Sequence, residues 1–599
     1  MRSRLKSDAR RALLIVPPFF DLDRPSVGPH TLQALCQSDE FQVLVFYANL
    51  DFAEMIGFAS YQSCLKGSPD DLEGERIFSQ SAFESAQVLP QSTASRSQNY
   101  RVARDHMRHP GELLVVSKWA SRWVIEVARL IAADQFDVVG FSLMFEQICS
   151  SIALIHAIKQ QGSKATFVVG GPLCEGVMAE GVASLSNSID HVFSGEADVT
   201  FPAFLKNIRA GRKPIEKIIR PEHQTNLNSV PSLDYEDYHH QIAASNIFRC
   251  ELSSNDVWTP YESSRGCWWG QKHHCHFCGL SDDQMQFRQK SSNKVFLDLC
   301  DLIERSPSRR VLMVDNIMPV QFYSTLLPQL KEAGFPGWLF YEQKANISFE
   351  RMELLYDAGV RWIQPGIESL SDRLLACIEK GTSRAVNIAT LRYASICGVS
   401  VIWNLLCGFP GDTDEDYSEQ LSLISLLRHL APPSGVNAIS IDRFSKYHNR
   451  PSDFGIRNLR PTVAYSEVFP GWADLDCLAY YFDADYQRMS VNTAPALKQL
   501  VDEVGRWRSA WASTSAARPA LFISQLSGDE FAVFDTRTAG AKEFYRINRG
   551  VAELALLSSA IGSSADYQAA LERRLFVEFK DGRVPLATCS RELYSMLRS

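Results

Sequence analysis

The chain has 599 residues, 45% of them hydrophobic, with a formal net charge of −8 at pH 7 and a pI near 6.0. That length suits about three or four domains with large cores, and the acidic balance argues against a nucleic-acid surface. No window carries the uninterrupted apolar run of a membrane helix, and the basic start MRSRLKSDARR lacks the apolar core and cleavage site of a signal peptide. Fourteen thinly spread cysteines in so long a chain suit reduced thiols and a cytoplasmic protein rather than disulfide staples.

From residue 11 to about 215, continuous apolar strands alternate with amphipathic helices. Strands are predicted at Ala12–Val16, Phe41–Tyr47, Asp137–Leu143, Ala165–Val169 and His191–Ser194, and helices at Gly28–Cys36, Ala120–Ala132 and Gln147–Gln161 and from Cys174 and Asp198. Such alternation means a parallel sheet with helices on both faces and a ligand site at the carboxyl ends of the strands. Those ends read PPFFDLDRPSVG, FSLMFEQ, GGP and SGEAD. Glycines and small residues there let a large planar ligand approach the backbone; ordinary loop glycines are the alternative. No G-x-G-x-x-G follows the first strand, which argues against nicotinamide and flavin. Residues 60 to 116, rich in Ser, Gln and charge, break the pattern and read as a surface insertion without assigned function.

Together these strand ends resemble the cobalamin-binding domain at the front of one large class of radical S-adenosylmethionine (SAM) enzymes. The resemblance implies a cobalamin contacted by Pro18, Gly28, Ser142, Leu143, Met144, Phe145, Glu146, Gly170, Gly171, Pro172, Gly195 and Glu196. The Asp-x-His-x-x-Gly motif that supplies a histidine to cobalt is absent, so the cofactor is expected base-off, with Met144, Phe145 or Glu146 bordering its lower face.

After a linker beginning near Pro221, a second α/β array begins. Strands are predicted at Pro260–Arg265, Arg310–Val314, Trp338–Gln343, Arg361–Ile367, Val399–Leu405 and Ala438–Arg443, with helices between them. Six such units suit a partial (β/α)6 barrel with its site at the C-terminal strand ends. The loop after the first strand holds Cys267, Cys275 and Cys278 in the spacing C-x7-C-x2-C. Three thiolates on a four-iron cluster leave one iron open to a chelating small molecule. The alternative is structural zinc, with His273, His274 or His276 as fourth ligand.

The string SRGCWWGQKHHCHFCGL, followed by FRQKS, VDNI, YEQKAN, IQPGIESLSD, NLLCGFPG and IDRFSKYHNRP, resembles the RiPP maturation radical SAM protein 1 family, which acts on ribosomally synthesised, post-translationally modified peptides. The likeness runs from about residue 11 to residue 485 and includes the extended cysteine spacing. It implies a [4Fe-4S] cluster on Cys267, Cys275 and Cys278, with Phe277 near the adenine of SAM. Gly279, Asp315, Asn316, Lys344, Gln364, Glu368, Ser369, Asn404, Gly408 and Pro410 would complete the SAM site. Asp315 and Asn316 would receive the methionine amino group and Lys344 the carboxylate. Gln364, Glu368 and Ser369 would bond ribose hydroxyls. The turn at Gly408 and Pro410 would pass along the adenine, beside a Cys407 that is no ligand.

The function so implied is a cobalamin-dependent radical SAM C-methyltransferase acting on a precursor peptide, with an electron donor such as flavodoxin or ferredoxin as partner. One SAM supplies a 5′-deoxyadenosyl radical and a second remethylates cobalamin, so no catalytic side chain is assigned to the hydrogen abstraction. The alternatives are a non-methylating rearrangement or oxidation by the same cofactors, or a non-catalytic cobalamin or metal sensor. Three units are expected: 1–220, 221–485 and 486–599. The tail predicts a helix, PALKQLVDEVGRWRSAW, a hairpin, FAVFDTRTAGAKEFYRI, two helices and a second hairpin, FVEFKDGRVPLA. It reads as a winged-helix-like unit whose edge strand could receive a leader peptide, or as a packing module that caps the barrel.

Overall fold

The computed structural model describes residues 10–37, 41–67, 71–83, 110–212, 214–245, 248, 251–252, 256–514, 517–537, 543–580 and 582–598. The leading unit is a parallel six-stranded sheet of β1 (Arg10–Val16), β2 (Phe41–Tyr47), β3 (Val138–Ser142), β4 (Thr166–Gly170), β5 (His191–Phe193) and β6 (Ile218–Ile219). Its order is β2-β1-β3-β4-β5-β6, with Ala12 paired to Val138 and Val138 to Thr166. Because β1 lies inside the sheet, its residues from Ala12 to Val16 are buried on both faces, which explains their unbroken apolar run. The order reverses between β1 and β3, and a doubly wound sheet opens a crevice at such a switch point.

The expected insertion is corrected in part. It contains the helices Phe58–Leu65 and Glu73–Ala82 and the first turns of Pro110–Ala133; residues 84–109 lie outside the described residues. Glu73–Ala82 is core rather than surface. Its Phe78 ring lies 5.0 Å from Phe52 and 5.8 Å from Trp123, a cluster of rings that closes the sheet from one side.

In the second unit Thr259–Tyr261, Arg310–Met313, Trp338–Glu342, Val360–Gln364 and Ser400–Val401 form one parallel sheet in chain order. The fifth predicted strand is broken. Ser400–Val401 pairs with Val360–Gln364, whereas Leu405–Cys407 pairs with Val436–Ala438. Between them Trp403 is buried and donates its indole N–H to the Ala431 carbonyl at 3.0 Å, drawing the chain out of the ladder. A single bridge from Glu368 to Leu405 carries the wall across the break. The sixth predicted strand ends early at Ala438; Ile441–Asp442 leaves the barrel to pair with Tyr481–Asp485.

The tail contains the helix Pro495–Ala512 and both hairpins, although the turn residues 538–542 and position 581 lie outside the described residues. Two elements were not anticipated, the strand Leu521–Ser527 and the helix Arg591–Arg598. The sheet runs Glu543–Asn548, Glu530–Asp535, Leu521–Ser527, Thr588–Cys589. Buried Arg392 on a barrel helix donates to the carbonyls of Ala587 and Leu556, and Arg591 reaches Glu353 and Asp357, fastening this unit to the barrel. Among the described residues no helix is long and apolar enough to cross a membrane, and every cysteine is free.

Candidate functional site

The cysteine loop leaves the first barrel strand at a position fixed by one buried carboxylate. Asp315, at the end of the second strand, accepts the backbone N–H of Ser263 at 2.7 Å and of Ser264 at 3.0 Å, and the Ser263 hydroxyl as well. Burial pushes Asp315 up to about 6 despite these bonds. It therefore anchors the entry to the loop, and its neighbour Asn316 is the exposed one.

Cys267, Cys275 and Cys278 are half-buried. The four extra residues of the long spacing form a helical turn, Gly270–His273, that carries the chain from the first thiol to the second. Burial pushes the Cys267 thiol up and the Cys278 thiol up to about 12, and the nearby Cys275 acts on both in the same direction. Such thiols become ligands only when a metal deprotonates them. Among the described residues no three His, Cys, Asp or Glu side chains converge to hold a single ion. Of the histidines of the zinc alternative, His273 and His274 are engaged elsewhere, whereas the buried Nδ1 of His276 has no hydrogen-bond partner. His273 stacks on Trp269 at 4.2 Å, His274 donates to the Cys278 carbonyl at 3.0 Å, and His276 Nε2 lies 3.6 Å from Glu379. A cubane seats its thiolates on separate irons and does not require that convergence.

Around this loop the residues assigned to SAM divide into two groups. Phe277 is half-buried, and Gly279 sits so close to Tyr480 and Asp442 that a Cβ would strike both. Glu368, held at φ 59°, directs its carboxylate to Lys380. Half-buried Asn404 has a side-chain oxygen without a partner, and Gly408, at φ 78°, turns the chain and donates to Asp412. Half-buried Gln364 ends the strand Val360–Gln364, and half-buried Pro410 stands in the turn after Leu405–Cys407. Ser369 turns away, its hydroxyl donating to Gln420 at 3.1 Å within the barrel wall. The Lys344 ammonium stays at the cysteine loop, over Trp269 at 3.1 Å from its ring centre; burial lowers it to about 8, opposed by the nearby Cys275 and Cys267.

Lys380, which the strand pattern gave no reason to choose, stands at the centre of this arrangement. Burial opposes its charge, but the Glu368 carboxylate and the Cys275 and Cys278 thiols more than offset this and raise it to about 12. It follows a short helix rather than a strand end, so only its neighbour Gly381, at φ 65°, marked the position in the sequence. Glu342, the last residue of the strand Trp338–Glu342, is a further buried carboxyl beside Lys380; burial pushes it up to about 7, with Lys380 opposing.

The carboxyl ends of β1, β3, β4 and β5 open into a cavity of about 370 Å³. Gly28, Ser142, Gly170, Gly171, Pro172, Gly195 and Glu196 line it. Gly28 has nothing within 4 Å of where a Cβ would stand, so the wall is hollow there. Gly171 is required by the backbone: it lies at φ 114°, and a Cβ would sit 2.6 Å from the Leu143 carbonyl oxygen. The remaining residues assigned to cobalamin lie outside the lining. Pro18 accepts the Ser150 hydroxyl and Leu143 bonds Gly170 through its backbone, while the Met144 N–H donates to Gln147. Phe145 packs on Tyr480 at 4.8 Å, and Glu146 accepts the Gly74 N–H at 2.6 Å.

The far wall belongs to the second unit: Glu262, Arg265, Gln284 and Val314. Arg265 grips Asp198 at 2.8 and 2.9 Å and also reaches Glu262 and Glu196, while Arg288 pairs with Glu196. Asp198 and Glu196 follow β5, and Arg265 lies two residues before Cys267. A bidentate guanidinium thus ties the crevice of the leading sheet to the start of the cysteine loop.

Comparison with known proteins agrees with this geometry. Residues 261–424 match the radical SAM superfamily model. The chain is 22% identical over 312 residues to an uncharacterised methyltransferase of Pyrococcus horikoshii, covering 49% of this chain and 64% of that protein. Across the curated relatives it matches, the chain spans 42% to 64% of their length. Its fold is that of cobalamin-dependent radical SAM enzymes: OxsB with aqua-cobalamin bound superposes with a TM-score of 0.54 at 13% identity, covering 80% of this chain and 65% of OxsB. TsrM of Kitasatospora setae, solved with cobalamin and a [4Fe-4S] cluster, gives 0.52 at 13% identity over 83% of this chain and 91% of TsrM.

Proposed function

We propose that the chain is a cobalamin-dependent radical SAM C-methyltransferase whose substrate is a ribosomally made peptide. The observation that carries this reading is the cavity shared between the leading sheet and the residues flanking the cysteine loop. When bound, a cluster on Cys267, Cys275 and Cys278 supplies an electron to SAM, and a cobalamin in the cavity supplies methyl chemistry.

The donor sets fit both groups. Three thiols without a nitrogen ligand suit iron–sulfur binding, and a glycine-rich, largely apolar wall suits a flat macrocycle or its tail. Phe277, Glu368, Lys380 and Asn404 supply an apolar face, a carboxylate, a cation and an unpartnered amide oxygen, the functions a zwitterionic nucleoside requires. Asp315 and Arg265 both hold the start of the loop, Asp315 through Ser263 and Ser264 and Arg265 through Asp198, so the chain's part is positioning and exclusion of water.

The test is anaerobic reconstitution with SAM, cobalamin, a low-potential reductant and candidate peptides, read by mass spectrometry. A peptide mass gain of one methyl group with S-adenosylhomocysteine supports the reading. Formation of 5′-deoxyadenosine without methyl gain means a non-methylating reaction, and absence of iron means a non-catalytic binder.

A further inference from the structure

Two lysines face the cysteine loop, and their charges are met differently. The Lys380 ammonium pairs with the Glu368 carboxylate at 2.9 Å, so each cancels most of the other's field. The half-buried Lys344 ammonium lies 3.1 Å from the ring centre of Trp269 and donates to the backbone carbonyl of Lys380. Among the described residues no carboxylate pairs with Lys344, so it stands as a net positive charge.

That charge is fixed in place. The Trp269 indole N–H donates to the Glu379 carbonyl at 3.3 Å, His273 stacks on the ring at 4.2 Å, and a Cβ on Gly381 would strike the ring. The same backbone serves the candidate cluster ligands. Trp269 lies two residues past Cys267, and the Glu379 carbonyl that receives its indole also receives the Cys275 thiol at 4.0 Å. A cation held by a ring and a carbonyl keeps its field, because neither partner carries a full negative charge. Cys275 and Cys267 both act on the Lys344 charge.

A [4Fe-4S] cluster gains one negative charge when it accepts an electron, and a fixed cation nearby favours that state. We propose that Lys344 raises the reduction potential of a cluster held by Cys267, Cys275 and Cys278, rather than receiving the carboxylate of SAM. Trp269 keeps the ammonium on the loop that bears the ligands, whereas the pair of Lys380 and Glu368 adds no net charge there. This inference rests on the radical SAM reading given above.

The test is a potentiometric titration of the anaerobically reconstituted full chain, with the reduced cluster counted by electron paramagnetic resonance and neither SAM nor peptide present. Lys344→Met is expected to lower the reduced-to-oxidised ratio at a given solution potential about tenfold, which is about 59 mV for one electron. Lys344→Arg, which keeps the charge, should restore it. Affinity for SAM, measured by equilibrium dialysis with the cluster oxidised, should be the same in both variants as in the native chain. Lys344→Gln repeats the neutral substitution with a polar side chain, and iron and sulfide contents show which variants keep the cluster. An unchanged potential in a neutral variant with full iron overturns the proposal, and so does weaker SAM binding by it. Loss of iron from both neutral variants makes Lys344 a structural support of the loop and overturns it too. A native chain that takes up no iron removes the radical reading as well. A native chain that takes up iron and cleaves SAM, while Lys344→Met keeps the native potential, removes this inference alone.

Discussion

The Lys380 ammonium donates to Glu368 at 2.9 Å and lies 5.5 Å from the ring centre of Phe277, the residue between two candidate cluster ligands. With side chains 16% and 17% exposed, the pair is largely removed from water, and losing one partner strands the other. Lys380→Met should cost about 2 to 3 kcal/mol in denaturant unfolding. Lys380→Met combined with Glu368→Gln should recover more than half of that, because no charge is left unpaired. Equal losses in the single and double variants would show that the pair is not coupled.

Asp315 gathers the start of the cysteine loop through two N–H groups and a hydroxyl. Asp315→Ala leaves those donors buried and unsatisfied, a loss of roughly 1–3 kcal/mol for each. The variant should retain much less iron and sulfide after reconstitution while the leading sheet stays folded. Full cluster content would mean that the loop is held by its own turn.

Gly28 and Gly171 line one cavity but should respond oppositely to substitution. Gly28→Leu fills open space, so the protein should fold normally and lose cobalamin binding, read from the cobalamin absorption spectrum. Gly171→Ala meets the Leu143 carbonyl at a positive φ and should destabilise the fold itself. Unchanged cobalamin binding in Gly28→Leu would place the ligand elsewhere.

Burial pushes Glu146 up to about 8, with only the Gly74 N–H favouring its anion strongly. The unfolded chain releases this proton near 4.5, so between that value and about 8 the folded state binds more protons. Stability therefore falls as pH rises through that window, by at most about 1.4 kcal/mol per pH unit from this group. Glu146→Gln keeps an acceptor for Gly74 and should flatten the slope of thermal midpoint against pH and stabilise the protein above pH 8. An unchanged slope would assign the dependence to other groups.

The elements most legible in the sequence were those whose period reflects burial on both faces. Strands such as Ala12–Val16 and Phe41–Tyr47 announced themselves as apolar runs. The helix Glu73–Ala82 did not, because Glu75 and Arg76 are buried there by specific partners: Glu75 accepts the N–H groups of Ile148 and Cys149, and Arg76 bonds Glu467. Polar residues satisfied by distant chain look like surface in sequence. The break at Trp403 was hidden for a similar reason, since a buried indole with a carbonyl partner reads as one more strand residue. At the site, strand-end reasoning led to Asp315 and Glu368 but not to Lys380, whose place depends on a helix-to-loop turn.

The central claim is that one chain brings together a cluster-bearing loop and a crevice able to hold a second cofactor. The most direct measurement is product analysis after anaerobic reconstitution with iron, sulfide, cobalamin and SAM, for the native chain and for Cys275→Ala. The account predicts 5′-deoxyadenosine from the native chain, none from the variant, and cobalamin bound by both. A native chain that binds no iron, or that forms as much 5′-deoxyadenosine without Cys275 as with it, would contradict it.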